Sequence, residues 1–373
     1  MNKFKCYFIL LITTVSFFSC TKSNTDTIVP PRDYTAQYNT EIADIETYLK
    51  ANYIKVLDHE GYQDDQDVTI IKIPVGGNQS SIYSYLNSDS FPKLLSRDIN
   101  LHNITYKLYY LVLREGKKDV VSGFGGESPS NVDAVFSSYK GNLLDGTVFD
   151  FSNNGQSQYN LDGVIHDGGI GVIRGWSEAF PKFKTGWLSS NTDGSIGYHD
   201  FGSGLMFLPS GLAYYDIPKD KVPVYSPLVF SIKLYALKRF DHDYDGIPSF
   251  KEDICNDGYM YDYRNLINYP TFPEDKIRYA DDTDKDGIPD FLDVDDDQDG
   301  FTTKLEITKP AGTNSGLSAY FPYDPIIDNP LTTNINEAET KGIPEYSAAG
   351  NPDYTTSTRL RIHLDKAHHT AKP

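Results

Sequence analysis

The segment that constrains this fold most is a run of strand-forming residues interrupted by an Asp-Gly pair. Residues 139–150 read Tyr-Lys-Gly-Asn-Leu-Leu-Asp-Gly-Thr-Val-Phe-Asp. An Asp-Gly pair between such stretches is a strong local signal for a β-hairpin. Residues 172–176, Val-Ile-Arg-Gly-Trp, come later, and their glycine lets the tryptophan begin a short helix. The sequence therefore predicts a β-hairpin followed by a short helix.

Two later segments extend this pattern in the same order. They are Pro209–Tyr214, Pro-Ser-Gly-Leu-Ala-Tyr, and Ser226–Leu234, Ser-Pro-Leu-Val-Phe-Ser-Ile-Lys-Leu. Together the four segments resemble the FKBP-type peptidyl-prolyl isomerase family over roughly residues 104–240. The resemblance implies an α+β fold in which an antiparallel sheet wraps around a short helix. The β-branched and aromatic run Ile104–Leu113 is the expected first strand.

The resemblance also implies where a substrate proline would bind. In the family, an apolar pocket has a tryptophan as its floor, which is Trp176 here, and Val222 is expected in a loop over the cleft. The backbone N–H at Ile173 and the hydroxyl at Tyr214 would hold substrate carbonyl groups, and the carboxylate at Asp150 would orient the pocket edge. The implied catalytic set is Tyr139, Phe149, Asp150, Val172, Ile173, Trp176, Tyr214 and Phe230.

Two insertions relative to the family flank this expected cleft. Residues 151–171 are rich in glycine, and only Tyr159 and Leu161 are expected to face inward there. Residues 189–204 interrupt what would otherwise be one continuous strand, which resumes at Leu205–Leu208. Both insertions could slow catalysis or occlude the cleft.

The resemblance leaves two functional interpretations. In the first, an apolar, water-poor cavity binds the twisted X-Pro amide better than the planar one, so that proline-containing client proteins are isomerised without a cofactor. In the second, the protein is a non-catalytic scaffold or adhesion module that only binds proline-containing segments. Macrolide-type ligands are candidates in both. Aromatic residues of this kind are more often plain core, but here they coincide with the family's pocket positions as a group.

Composition excludes some partners. The chain has 373 residues, enough for two or three domains, and a formal net charge of −18. A nucleic-acid partner is not expected, because phosphate binding needs a basic face. The cysteines are Cys6, Cys20 and Cys255, and only Cys255 lies beyond the leader and its end, so no disulfide framework is expected within one chain.

The first twenty residues resemble a bacterial lipoprotein leader. Lys3 and Lys5 precede a short apolar run from Tyr7 to Phe18, and Ser19 stands directly before Cys20. Cys20 is therefore the expected lipidation site, which would attach the protein to a membrane of the bacterial envelope, facing the periplasm or the cell surface. The alternative is an ordinary secretory leader in which this cysteine is incidental.

An amphipathic helix is expected after a polar tether at residues 21–32. From Ala36 to Tyr53, apolar residues recur every three or four positions. Such a stripe is usually buried, so we expect it to pack on the isomerase domain or on a partner chain.

Beyond Phe240 the chain becomes densely acidic, with three loops of the same spacing. We define the first loop as residues 241–252, the second as 282–293 and the third as 295–306. Each has carboxylates at its first, third, fifth and twelfth positions and glycine at its sixth, which is the ligand spacing of a calcium loop. The predicted metal ligands are Asp241, Asp243, Asp245, Ile247, Glu252, Asp282, Asp284, Asp286, Ile288, Asp293, Asp295, Asp297, Asp299, Phe301 and Glu306, the apolar residues through their carbonyl oxygens.

These loops resemble thrombospondin type 3 repeats more than paired EF-hands. Pro248 and Pro289 follow the loop glycines and would interrupt the exiting helix that an EF-hand needs. Calcium is expected to be structural, making an otherwise self-repelling segment compact. The alternative is a solvated acidic spacer.

The terminal segment is rich in Pro, Thr, Asn and Gly, and its histidines, including His363, His368 and His369, are expected to be exposed rather than metal-binding. The expected divisions of the chain are a leader at 1–20, a tether and helix at 21–98, an isomerase domain at 99–240, calcium repeats at 241–310 and a tail at 311–373.

Overall fold

A computed structural model describes most of the chain. The described residues are 30–153, 155–165, 167–271, 281–310, 318–326 and 339–369. The expected leader and Cys20 lie outside them. Among these residues, no helix has both the length and the apolar character that a membrane span requires.

The core of the fold is one large sheet. The described strands are β1 Asn52–Val56, β2 Val68–Lys72, β3 Lys93–Leu101, β4 Ile104–Arg114, β5 Ala134–Leu143, β6 Val148–Ser152, β7 Gln158–Asn160, β8 Ile170–Gly171, β9 Trp187–Ser190, β10 Ile196–His199, β11 Gly202–Leu208, β12 Leu228–Lys238, β13 Glu345–Tyr346 and β14 Pro352–Asp353. The strands of the large sheet run in the spatial order β3-β4-β11-β12-β5-β7-β8, with β6 paired to β5, and all pairs are antiparallel except β7 with β8. Three two-stranded sheets join β1 to β2, β9 to β10 and β13 to β14.

The described helices are few and short. They are α1 Tyr34–Ala51, α2 Arg174–Ala179 and α3 Thr303–Glu306, with 3-10 turns at Ile82–Tyr85, Phe180–Lys182, Ser210–Leu212, Ser249–Lys251, Asp290–Leu292 and Ile362–Leu364. This mixture is α+β, as the sequence predicts. The short helix α2 and its 3-10 continuation lie where the Val-Ile-Arg-Gly-Trp segment predicts a helix.

The large sheet is covered on both faces. Successive side chains of a strand point to opposite faces. On β4, Leu108 packs in the same cluster as Trp176 of α2, whereas Leu111 packs in a second cluster with Ile45 and Leu49 of α1. The predicted amphipathic helix therefore packs on the large sheet, and it ends at Ala51, so Tyr53 belongs to β1.

Two expected strand boundaries are wrong. The first strand of the large sheet is β3, which pairs with β4 and runs through the expected division between residues 98 and 99. The second insertion does not merely interrupt a strand, since β9 and β10 form their own hairpin and β11 begins at Gly202. Pairing between distant strands decides both boundaries, and local residue preference does not reveal it.

The terminal segment takes part in a folded core. Ile247 of the first loop and Ile307 after the third are fully buried against Phe321, Ile343 and Ile362. His363 is 1% exposed, so the expectation that it lies on the surface is wrong. The compact unit that begins at Asp33 holds all of these helices and strands.

Candidate active site and candidate metal loops

The floor of the candidate pocket is the indole of Trp176. Helix α2 begins after Ile173 and places Trp176 in its first turn, where it is 4% exposed. Gly175 permits this placement, because a Cβ there would lie 2.6 Å from a methyl carbon of Leu208 on β11. The packing of α2 on the sheet therefore fixes the indole.

Four aromatic rings enclose this indole. The ring centroids of Tyr139, Phe230 and Tyr159 lie 5.0, 5.3 and 5.3 Å from that of Trp176, all edge to face. Phe180 packs 5.2 Å away from the next turn of the chain. Such edge-to-face contacts add about 0.5–1.5 kcal/mol each beyond the burial of area, so the pocket wall is well held.

The hairpin formed by β5 and β6 supplies the pocket rim. The hydroxyl of Tyr139 donates to Oδ2 of Asp150 at 2.6 Å. Burial raises the pKa of Tyr139, and the carboxylate beside it raises it further, so the phenol keeps its proton. The ring of Phe149 lies over Gly141, where a Cβ would be 2.4 Å from that ring. The Asp-Gly hairpin thus carries both a hydrogen-bonded edge and an aromatic wall.

All of these groups open onto one cavity of about 560 Å³. Its lining includes every one of the eight residues in the implied catalytic set, and also the expected Tyr159 and Val222. Sequence reasoning missed Ile170, Gly171, Lys219 and Asp220, which line it as well. The last two lie in a tight turn closed by backbone hydrogen bonds between Lys219 and Val222, which no local pattern marked.

One backbone donor in this cavity is open to a ligand. The amide N–H of Ile173, the residue before α2, makes no hydrogen bond within the described part of the chain. Aromatic rings surround it, and the Asp150 carboxylate accepts hydrogen bonds from Tyr139 and from the amide of Phe151. Lys219 and Asp220 line the same cavity. The arrangement can accept a carbonyl oxygen and an apolar ring.

The N-terminal helix supports the loop that carries Tyr214. Glu41 of α1 is 2% exposed. It accepts hydrogen bonds from the amide and the hydroxyl of Ser210 at 2.7 and 2.5 Å, and Gln37 donates to it at 2.7 Å. Burial raises the pKa of the Glu41 carboxyl, against the lowering effect of these donors. No sequence pattern assigned this role to Glu41, because its partner lies far along the chain.

A second polar anchor ties α2 to the acidic side of the molecule. Glu178 is fully buried and pairs with Arg174 at 2.9 Å and with Arg97 at 3.1 Å. Between the first and second loops, Tyr261 donates to the Glu178 carboxylate at 2.9 Å and Tyr259 to its backbone carbonyl at 2.8 Å. The helix that holds Trp176 is therefore joined by side-chain bonds to the segment between two acidic loops.

The three acidic loops share one backbone conformation. In each, the sixth-position glycine has positive φ, 105°, 99° and 91° in order. Its amide donates to the first carboxylate at 3.1, 3.0 and 3.2 Å. The seventh amide donates to the fifth carboxylate at 2.7 Å in every loop. The first two loops end in 3-10 turns that begin directly after Pro248 and Pro289, so no EF-hand exit helix forms there.

The carboxylates of these loops converge in three groups. The groups are Asp243 with Asp245, Glu252 and Asp296; Asp282 with Asp284 and Asp286; and Asp295 with Asp297 and Asp299. In each group one oxygen per residue lies within 4.8 Å of all the others. Asp241, Asp293 and Glu306 lie outside these compact groups, and they and the three carbonyl ligands stay predictions. Sequence spacing did not predict Asp296 to be a metal ligand.

Several of these carboxylates are buried without a donor. Neither oxygen of Glu252 or Asp296 has a hydrogen-bond partner in the described structure, and the two residues are 5% and 1% exposed. Burial raises the pKa of Glu252 to about 12, and that of Glu306 to about 9, with neighbouring carboxylates adding to both. An isolated buried charge is costly unless it is paired or binds a metal. The donor set, all oxygen, suits calcium.

Comparisons with known proteins match one family profile and several isomerases. A family profile described as the BamM C-terminal family matches residues 242–334. The FKBP-type peptidyl-prolyl cis-trans isomerase FkpA of Escherichia coli is 30% identical over 133 residues, 35% of this chain and 38% of that protein. A probable FkpA of Neisseria meningitidis is 31% identical over the same shares. The chain therefore spans only 38% of the length of each of these bacterial relatives.

A smaller relative is matched over most of its length. FK506-binding protein 1 of Yarrowia lipolytica is 32% identical over 101 residues, 27% of this chain and 90% of that protein. Among solved structures, a peptidyl-prolyl isomerase from Pseudomonas syringae is 26% identical, covering 35% of this chain and 76% of its own, with a TM-score of 0.26. FkpA from Escherichia coli is 30% identical, covering 35% and 48%, with a TM-score of 0.26.

Proposed function

Because the chain belongs to the FKBP family of FK506-binding proteins and FKBP-type peptidyl-prolyl isomerases, we propose that it isomerises X-Pro bonds in exported proteins. The observation that carries this proposal is the cavity of about 560 Å³ that all eight implied catalytic residues line, with Trp176 as its floor. A proline ring packed on the indole would lie among the rings of Tyr139, Phe149 and Phe230.

The chemistry follows from the charge distribution of the amide. Rotation about the X-Pro bond gives up C–N resonance, at a barrier of about 18–20 kcal/mol, and leaves the carbonyl oxygen less negative. An apolar cavity favours this less polar twisted state over the planar one, which is differential binding of the transition state. The open amide of Ile173 and the hydroxyl of Tyr214 would hold neighbouring substrate carbonyls in place. No proton transfer is required.

The test is an isomerisation assay on the full chain. We expect Trp176→Ala, Phe149→Ala and Tyr214→Ala each to lower kcat/KM at least about tenfold, which corresponds to about 1.4 kcal/mol of lost transition-state binding. Phe151→Ala is the matched control, since Phe151 follows closely on the same strand but is 61% exposed. Tight binding of a proline peptide or a macrolide without rate acceleration would refute the enzyme and support a proline-binding scaffold.

We further propose a location at the bacterial envelope, with a lipid on Cys20. The support is the leader itself, a charged start and a short apolar run followed by Ser19 and Cys20. A mass spectrum of the mature N-terminus tests it: an acylated Cys20 is expected, and a free N-terminus at another residue would contradict it.

Calcium in the acidic loops is also proposed, as a structural ion. The buried, donor-free carboxylates of the loops fit a divalent cation, which when bound would neutralise their mutual repulsion. We expect a chelator to raise protease cleavage between residues 241 and 306 and calcium to restore resistance. Equal digestion with and without the chelator would contradict an ion-dependent fold.

A further inference from the structure

One carboxylate in the acidic region points away from the loop that contains it. Asp296 occupies the second position of the third loop, between the predicted ligands Asp295 and Asp297. It is 1% exposed and neither of its oxygens accepts a hydrogen bond from any described residue. A buried carboxyl in this state either keeps its proton or binds a cation.

The other two loops show what the second position normally does. His242 contacts the ninth-position hydroxyl of Ser249 through its ring at 2.9 Å. Thr283 donates from its hydroxyl to the ninth-position Asp290 at 2.7 Å. In both loops the second side chain closes onto its own loop. In the third loop only the backbone amide of Asp296 makes this contact, to Thr303 at 3.4 Å, and the carboxylate is left over.

That carboxylate lies in the first loop instead. An oxygen of Asp296 is within 4.8 Å of oxygens of Asp243, Asp245 and Glu252, which also lie that close to one another. Glu252 is 5% exposed and both of its oxygens lack a donor within the described structure. Four carboxylates therefore converge on one buried point, and two of them have no other partner.

We propose that Asp296 is a ligand of the first-loop calcium ion, so that one ion joins residues 243–252 to the third loop. This inference rests on the calcium loops proposed above and adds a ligand that their spacing does not contain. Because Asp295 and Asp296 are neighbours in the chain, a single peptide unit separates a ligand of the third-loop site from a ligand of the first. The two sites form one metal-linked unit, whereas the second loop keeps its own group of three carboxylates.

Direct packing between the first and third loops holds the shared site. A Cβ on Gly246 would lie 2.9 Å from the end of the Ile307 side chain, so this side chain packs directly on the first-loop backbone. Lys304 donates to the carbonyl of Tyr244 at 2.7 Å. Ile247 and Ile307 are fully buried in the same cluster. These contacts within the protein hold the third loop against the first, and they do not depend on a bound ion.

The experiment measures calcium binding by the full-length protein in detergent. Equilibrium dialysis should give three bound ions for the wild type. Asp296→Asn should weaken the first-loop site at least about tenfold, as removal of a ligand or its support typically does. Glu252→Gln should weaken the same site, and the double variant should lose no further ion. Asp58→Asn, an exposed carboxylate outside the loops, is the charge-matched control.

Terbium luminescence identifies which site is lost. Tyr244 is the fourth residue of the first loop, and its excitation should sensitise a terbium ion bound there; Tyr244→Phe identifies that emission. We expect Asp296→Asn to weaken the terbium affinity of the site that gives this emission. Asp297→Asn, in the third loop, should leave the terbium affinity of that site within about twofold of the wild-type value.

Each outcome decides the inference. Unchanged first-loop affinity in Asp296→Asn, with three ions still bound, would overturn the shared site but leave the calcium loops standing. No calcium or terbium binding by the wild type would overturn the calcium loops and the shared site together. Since the amide removes a buried charge, the metal-free variant should fold at least as well as the wild type, which circular dichroism checks.

Discussion

The pocket around Trp176 and the acidic loops are stabilised in opposite ways. In the pocket, aromatic rings pack on one another, and the Asp150 carboxylate accepts hydrogen bonds from Tyr139 and an amide. In the loops, Glu252 and Asp296 are buried with no donor from the described chain. The pocket is held by contacts within the protein, whereas the loops are the region that the proposed calcium would hold together. One chain would then combine a site that does not depend on an ion with a support that does.

The two regions meet at Glu178. This residue lies on the pocket helix, and its partners Tyr259 and Tyr261 belong to the segment between the first two loops. If the loops bind calcium as proposed, their fold can affect the pocket floor through these hydrogen bonds.

The largest expected effect is on hydrogen exchange after calcium removal. Amide exchange in the three loops should rise at least about a hundredfold with a chelator, because the folded loops lose the ion that offsets their repulsion. Exchange in β4, β11 and β12 should change by less than about threefold. An equal rise in the amide exchange rates of the loops and of the sheet would contradict this difference, because it would mean that the sheet also depends on the ion.

The next largest effect is expected on stability, from removing the Glu178 carboxylate. Glu178→Ala leaves Arg97 and Arg174 without their carboxylate, and breaking a buried ion pair in this way costs about 3–5 kcal/mol. Urea unfolding should show that loss. The control is Glu115→Ala, which removes an exposed pair with Lys184 and should cost at most about 1 kcal/mol. Equal losses in the two variants would mean that Glu178 does not join the regions.

A smaller effect should follow from Glu41, on the ion-independent side. Glu41→Ala leaves the amide and hydroxyl of Ser210 without an acceptor, at about 1–3 kcal/mol of unfolding free energy. The loop to Tyr214 should loosen, raising KM of the isomerase reaction. Asp44→Ala, an exposed residue of the same helix, is the matched control. The loss of unfolding free energy should be the same with and without calcium. A loss that depends on calcium would mean that this side of the molecule also depends on the ion.

The smallest effect concerns pH and the folded tail. Burial lowers the pKa of His363 to about 3, with Arg361 and Arg359 adding to the shift. Below the ordinary histidine pKa the unfolded chain takes up a proton that the folded chain does not. Stability contributed by His363 is therefore full above about pH 6.5 and falls by about 1.4 kcal/mol per pH unit toward pH 4. His363→Gln should remove this part of the slope, measured by urea unfolding in calcium; an unchanged slope would contradict burial of this histidine.

The sequence named residues that line one cavity, but it did not reveal the contacts that join distant parts of the chain. The eight implied catalytic residues lie in ordered segments, and each segment forms its own local element, so their convergence follows once the sheet closes. The loop carboxylates were likewise predictable from spacing within twelve residues. Glu41, Glu178 and Asp296 were not, because each is defined by a partner far along the chain, and a lone acidic residue in a helix or loop is usually solvated.

Catalysis at the pocket can be measured by NMR exchange on a proline-containing peptide with a substoichiometric amount of the full chain. Cis–trans exchange cross-peaks should appear only with the protein, together with contacts between the proline ring protons and the Trp176 indole. In Trp176→Ala both should fall away, while Phe151→Ala keeps them. Exchange that persists at the wild-type rate in Trp176→Ala would contradict catalysis at this pocket.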